Sequence, residues 1–155
     1  MSSLLLTFYD DLEAMAVTYT DKNGATVTAN CLNIDEKADS LQTAHLPARV
    51  LTINNTNTAE IELGGNSKAT WTITDLFFLE TAARDAGAYI LEPVLLRYQV
   101  AYLEAIQKKW QLVHGWSTET LAFSVTMRAG KLEYPAGSGT WFYGCECVTT
   151  FEELV

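Results

Sequence analysis

The run Thr70-Trp71-Thr72-Ile73-Thr74-Asp75-Leu76-Phe77-Phe78-Leu79, followed after a short connection by a helical pattern lasting to about Trp110, decides the fold. β-Branched and aromatic residues dominate the run, and they suit a pleated, packed strand. Successive side chains in a strand point to opposite faces. Trp71, Ile73, Asp75, Phe77 and Leu79 therefore share one face, and Thr72, Thr74, Leu76 and Phe78 share the other. The second half is apolar on both faces, so both need cover there, from a helix or from a neighbouring subunit. No other stretch is as long, as apolar or as periodic, and the sequence predicts a central strand and the main helix of one domain.

The helix carries its own surplus. Proline lacks an amide hydrogen and is tolerated in a first turn, which places the helix start between Ala88 and Pro93. A narrow solvent stripe is expected at Arg97, Ala101, Glu104 and Lys108. Glu104 precedes Lys108 by one turn, the favourable order for an ion pair of about 0.3–0.5 kcal/mol. One flank of that stripe carries Leu95, Tyr98, Tyr102 and Ile106, and the other carries Leu96, Val100 and Leu103. Covering one sheet face needs one apolar stripe. The second is left to meet the first helix or another subunit.

Outward from this stretch the chain reads as alternating short elements. Leu5, Phe8, Leu12, Met15 and Tyr19 form a helical stripe, giving a first helix from about Leu4 to Ala16 with Ser2 or Ser3 as its cap. Asp21-Lys22-Asn23-Gly24 signals a turn before a strand over Ala25–Leu32. Val17–Thr20 either pairs with that strand or continues the helix. Residues 33–40 are polar and loop-like, and Pro47 marks the entry to a strand over Ala48–Asn54. Asn55–Lys68, rich in Thr and Asn with Gly64-Gly65, reads as a mobile hairpin tip with room for a short strand around Ile61 and Leu63. Near the C-terminus, Leu121, Phe123, Val125 and Met127 alternate with small or polar residues as in a half-buried strand. Ala129-Gly130 is expected to turn that strand into Lys131–Tyr134, and Pro135–Gly139 forms a second turn. A final strand over Thr140–Phe151 puts Trp141, Tyr143, Cys145, Cys147 and Phe151 on one side. The order helix, strands, helix, strands predicts a single α+β domain over residues 1–155. Its sheet is mostly antiparallel with about four to six strands, and both helices pack on one face.

Composition narrows the function. Of 155 residues, 48% are hydrophobic and 19% charged, which excludes a disordered chain. Four Trp, seven Tyr and six Phe, set against so few charges, suggest apolar surface that meets a partner. Ten basic against 19 acidic residues give a net charge of −9, which argues against gripping nucleic acid by its phosphates. Lys108-Lys109 is the one adjacent basic pair and suits a helix C-terminus. The N-terminus lacks a basic region followed by an apolar stretch, so no signal peptide is expected. No uncharged run is long enough to span a bilayer, and no membrane association is expected.

Catalytic chemistry is hard to find. The three cysteines are odd in number. Cys145 and Cys147 share a strand face, which suits core thiols in a reducing compartment better than a zinc or redox motif. Neither His45 nor His114 has a carboxylate or second histidine at metal spacing. There is no nucleophile elbow and no phosphate-binding glycine loop. Asp75 alone is suspicious, as a carboxylate on an otherwise apolar strand face. A catalytic acid would need a close partner, and an edge charge or an intersubunit contact explains it as well. No catalytic, cofactor-binding or metal-binding residue is assigned.

The segments Asp39-Ser40-Leu41 and Leu46-Pro47-Ala48-Arg49-Val50, the central strand, the long helix and the closing Leu121–Met127 and Trp141-Phe142-Tyr143-Gly144 strands together resemble the tail-terminator, or tail-completion, proteins of long-tailed phages. The likeness spans nearly the whole chain and rests on element order and loose motifs, and the Asp21–Ala29 region departs from it most. It implies a structural virion protein of the tail or neck, made in the host cytoplasm and assembled as a homo-hexameric ring. Such a ring stops growth of the tail tube protein and joins the tail to a head-side connector or stopper. DNA passes through its lumen without specific binding, which an acidic lumen would favour. No short motif fixes the ring-forming and lumen-facing surfaces. The surplus apolar faces suggest Phe78, Leu96, Val100 and Leu103 as the candidate subunit interface, and the Asn55–Lys68 hairpin suggests Asn57, Glu60, Glu62 and Lys68 as the candidate lumen or tube-contact loop. The alternatives are another neck or tube protein, or a ligand-binding module or enzyme on a curved sheet with Asp75 and an aromatic or His45 in a pocket.

Overall fold

The computed structural model describes residues 4–32, 41, 45–52, 57–61, 63–65, 67–82, 88–113 and 120–154. Among the described residues the elements run in the order α1 (Leu4–Ala14), β1 (Val17–Thr20), β2 (Thr26–Ala29), β3 (Ala48–Thr52), β4 (Thr58–Glu60), β5 (Lys68–Thr81), α2 (Ala88–Val113), β6 (Thr120–Glu133) and β7 (Trp141–Leu154). The fold is α+β. A five-stranded antiparallel sheet has the order β3-β5-β7-β6, with β4 also paired to β5, and β1 and β2 form a separate hairpin.

β5 is central, as its length and two-faced apolarity predict. β3 pairs with its second half, β4 with its first residues, and β7 along nearly its whole length. The β5–β7 register slips between Phe78 and Glu80, beside Gly144. There the two backbones lie so close that a Cβ on Gly144 would sit 1.8 Å from the Phe77 carbonyl oxygen. Only glycine fits such an approach without moving a strand.

The two faces of β5 are both closed by this chain. On the helix side, Ile73, Phe77 and Leu79 pack with Phe8 and Leu12 of α1, Leu91, Val94, Leu95, Tyr98, Tyr102 and Ile106 of α2, and Cys145, Cys147 and Phe151 of β7. Phe77 stacks on Tyr98 with ring centroids 3.7 Å apart, and Phe8 meets Phe151 at 4.9 Å. On the opposite side, Phe78 is enclosed by Leu32, Leu41, Ala48, Val50, Leu132 and Phe142. Phe78 has no exposed surface. Its expected place in a subunit interface is therefore corrected, because its own chain already covers it.

Other expectations resolve in detail. Val17–Thr20 is a strand, and Asp21 holds the hairpin turn by accepting from the amides of Asn23 (2.8 Å) and Ala25 (2.9 Å). Ala129-Gly130 is not a turn. β6 continues through both, with Ala129 opposite Cys145 and Gly130 opposite Gly144. The unbroken ladder to β7 outweighs the local glycine signal, and Gly130 takes a φ of 152° inside the strand. The turn at Pro135–Gly139 stands, held by the Glu133 carboxylate, which accepts from the amides of Gly137 and Gly139. α2 begins at Ala88, which leaves Pro93 in its second turn rather than its first. α2 also runs past Lys108-Lys109 to Val113, so that pair stands a turn short of the helix end. The cap residues Ser2 and Ser3, the loop at 33–40, Glu62 and His114 lie outside the described residues.

Candidate functional site

A helix of 3.6 residues per turn that buries Leu91, Leu95, Tyr98, Tyr102 and Ile106 turns Leu96, Val100 and Leu103 to its opposite side. Those three residues are 53%, 59% and 37% exposed, so neither α1 nor the sheet buries the second apolar stripe. The solvent stripe expected between the two is partly occupied instead. Ala101 packs against the core, and Arg97 donates from Nε to the Thr20 carbonyl and from Nη2 to the Asp21 carbonyl, both at 3.2 Å. Arg97 thereby ties the β1–β2 hairpin to one flank of α2 and leaves the outer stripe clear of it.

Beside this stripe a groove of about 640 Å³ opens between α2 and β6. Glu92, Leu95, Leu96 and Gln99 form its helix wall, and Ala129, Gly130, Lys131 and Tyr143 form its sheet wall. Gly130 contributes no side chain, which keeps the groove open. The Lys131 ammonium rests 5.8 Å from the centroid of the Tyr143 ring, a cation–π distance. A second cavity, about 510 Å³, lies where the β1–β2 hairpin, the Leu46-Pro47 segment and the end of β5 meet. Lys22 and Glu80 lie on its wall and pair at 2.9 Å. Tyr19 lines it as well, and burial, helped by the negative charges of Asp21 and Glu80, pushes its phenol up to about 12.

The far end of β5 carries the other candidate region. Asn57 accepts from the Thr72 amide at 2.9 Å, which fixes the entry to β4. Glu60 is exposed opposite Lys68, and Lys68 pairs with Glu152 at 3.0 Å, a contact that raises its pKa. Ile61 and Leu63 stand out from this tip, 78% and 102% exposed. The structure thus gathers Leu96, Val100 and Leu103 on one surface and Asn57, Glu60 and Lys68 at another. Phe78 joins neither.

Asp75 does have a close partner, Arg49 of β3, which the sequence reading did not single out. Arg49 sits opposite Phe77 and Asp75 opposite Leu51, a diagonal cross-strand arrangement. Both are essentially buried, at 0% and 1% exposure. Arg49 Nε donates to both Asp75 oxygens at 3.3 and 3.1 Å, and Nη2 makes a further short bond to the same carboxylate. The remaining donors reach the end of α1, with Nη2 bound to the Leu12 carbonyl at 2.9 Å and Nη1 to the Met15 carbonyl. Burial by itself would favour a neutral guanidine. Asp75 outweighs it and holds Arg49 charged, above its ordinary range. The guanidinium also lies 5.9 Å from the Tyr102 ring centroid. The Tyr98 and Tyr102 hydroxyls have no well-formed hydrogen bond among the described residues, although Tyr102 lies near enough to Asp75 to have its phenol pushed up, first by burial and then by that charge. The sequence signal for Arg49 was available: one arginine in an otherwise apolar strand, one aspartate in another.

Asp75 lines neither of these two cavities, and neither does His45. Cys145 and Cys147 are buried on the helix side of β7, and burial pushes the Cys145 thiol up to about 12. Among the described residues no group of three or more His, Cys, Asp or Glu is placed to hold a metal ion, and no helix is long and apolar enough to cross a membrane. No protein-family model matches this chain and no curated protein sequence matches it, so the candidate surface stands on its own residues.

Proposed function

We propose that this chain is a structural virion protein that assembles as a ring at the head-proximal end of a phage tail. There it ends growth of the tail tube and joins the tail to a head-side connector, with a homo-hexamer as the expected assembly. The observation that supports this most is the outer stripe of α2, where Leu96, Val100 and Leu103 face solvent on a helix whose opposite face already fills the core. Folding leaves that stripe unburied, and contiguous exposed apolar surface marks interaction sites. The resemblance in element order to tail-terminator proteins supplies the kind of assembly, and the net charge of −9 suits a lumen through which DNA slides without binding.

Electron microscopy of purified particles with a gold-labelled or tagged copy of this chain tests the proposal. Label at the head-proximal end of the tail is expected. Label along the whole tube, or only at the connector, would instead favour another neck or tube protein, and absence from particles would exclude a virion role. The ligand-pocket alternative was built on Asp75, which is sealed beneath Arg49 and the helices, away from both cavities. Unchanged assembly with loss of a bound small molecule in Asp75→Asn would be needed to revive it.

A further inference from the structure

The tip between β4 and β5 and the groove between α2 and β6 stand at opposite ends of the sheet. Lys68, at the tip, pairs with Leu154, whereas Phe78 pairs with Gly144 beside the groove. The ten steps between Lys68 and Phe78 span about 33 Å at 3.3 Å per residue. They also lie toward opposite edges, since β4 pairs on the β3 side of β5 and β6 is the far edge strand. One chain therefore carries an exposed apolar knob, Ile61 and Leu63, and a distant apolar groove that the knob cannot reach within the same molecule.

We propose that the β4–β5 tip of one copy seats in the α2–β6 groove of a second copy of this chain. The contact rests on the assembly reading above and assigns the surfaces that make it. Three features favour a second copy as the occupant. A groove of about 640 Å³ falls within the range that encloses a compact apolar group, and two branched side chains fit inside it. The polarity is complementary: Glu60 is exposed at the base of the tip, and Lys131 on the strand wall makes no ion pair among the described residues. Glu92, the other charge of the groove, is exposed on the helix wall and makes no ion pair with Lys131. Finally, a knob and a groove at separate places on one chain make a heterologous, head-to-tail contact, and repetition of such a contact closes a ring or extends a filament. An isologous pair of α2 stripes would stop at a dimer.

Variants of the full chain with one engineered surface cysteine test this directly, because the Leu63 and Ala129 side chains are both exposed and the remaining Cys145 and Cys147 are buried. Leu63→Cys and Ala129→Cys, each in a Cys31→Ala background, are mixed and treated with a short bis-maleimide. The mixed product should exceed either homodimer by about tenfold, the ratio of a contact favoured by one decade in affinity. Leu63→Asp should independently weaken self-association by about tenfold or more, read by light scattering across a concentration series. A predominance of Leu63→Cys homodimers, or mixed product no greater than with a Lys22→Cys control, would overturn the contact. Particle labelling separates the two readings. Label at the tail end without the mixed product sinks this contact and leaves the ring. Mixed product without label in particles keeps the contact and sinks the virion role.

Discussion

The two sides of α2 both carry an apolar stripe, and the stripes have opposite fates. Leu91, Val94, Leu95, Tyr98, Tyr102 and Ile106 are 4% exposed or less, while Leu96, Val100 and Leu103 remain in solvent. The buried side shows what the fold requires, namely one stripe laid across β5 and β7 with Arg49 and Asp75 beneath it. The exposed side is not required by any layer of this chain. A helix that needed only to cover the sheet would carry polar residues there. The difference separates residues retained for folding from residues available for assembly, and it is open to test from each side.

The largest effect is expected at the buried ion pair. Asp75→Asn leaves the Arg49 guanidinium charged, buried and uncompensated, and breaking such a pair costs about 3–5 kcal/mol. In a chain of this size that lowers the thermal midpoint by about 10 °C or more. The double variant Arg49→Met, Asp75→Leu should recover part of the loss, because two apolar residues no longer strand a charge. Full recovery is not expected, since Arg49 also satisfies the Leu12 and Met15 carbonyls at the end of α1. Calorimetry on the three variants checks the order. If Asp75→Asn melted with the parent, the pair would not be the link between α1 and the sheet.

Gly144→Ala probes the same side through the backbone. Its new methyl would collide with the Phe77 carbonyl, which sits under the Phe77–Tyr98 stack. Overpacking of this sort costs about 1–3 kcal/mol, with more where the obstacle is backbone that cannot turn aside. A loss of stability by denaturant titration is expected, together with a changed near-ultraviolet signal from the disturbed aromatic stack.

Alkaline pH gives a milder test. The Cys145 thiol is pushed up to about 12 from an ordinary value of 9.0, and Tyr19 to about 12 from 10.0. The folded state therefore holds these protons while the unfolded chain releases them, and stability falls with rising pH wherever the native state binds more protons. The contribution is fully present below pH 9 and is lost progressively between about pH 9 and 12. A melting temperature level from pH 7 to 9 and falling above it is expected. Cys145→Ala should reduce the earliest part of the fall, and the Cys147 thiol, which burial also pushes up from 9.0, keeps the rest.

Much of this architecture was legible because period and length are strong signals. The alternation of Trp71, Ile73, Phe77 and Leu79 gave the central strand, and the Leu95, Tyr98, Tyr102, Ile106 spacing gave the buried side of the helix. What failed were features decided by distant neighbours. Ala129-Gly130 has the local chemistry of a turn, yet pairing with β7 carries the strand straight through it. Phe78 resembled a surplus face because its cover, from Leu32, Leu41 and Val50, comes from segments far away in sequence. Asp75 lacked a visible partner for the same reason, since the Arg49 contact depends on the β3–β5 register. The α2 stripe was legible as apolar. Whether α1 would cover it was a question of packing that periodicity does not carry.

The smallest effect on stability, and the most informative about assembly, is expected on the outer stripe. Leu96, Val100 and Leu103 are partly or largely in water already, so the triple change to Ser removes little burial from the isolated chain. Surface substitutions of this kind usually stay within about ±0.5 kcal/mol each. Serine also has a lower helix propensity than leucine by a few tenths, which accounts for any small fall. If the stripe serves assembly, the variant should fold and melt much as the parent does, yet no longer form higher-order species or join particles in a complementation assay. A large drop in melting temperature without a change in assembly would place these residues in the fold after all, and would erase the distinction between the two sides of α2. Parent-like behaviour in both measurements would leave the stripe without a role and, because Leu96 also walls the groove, would count against the tip-and-groove contact too.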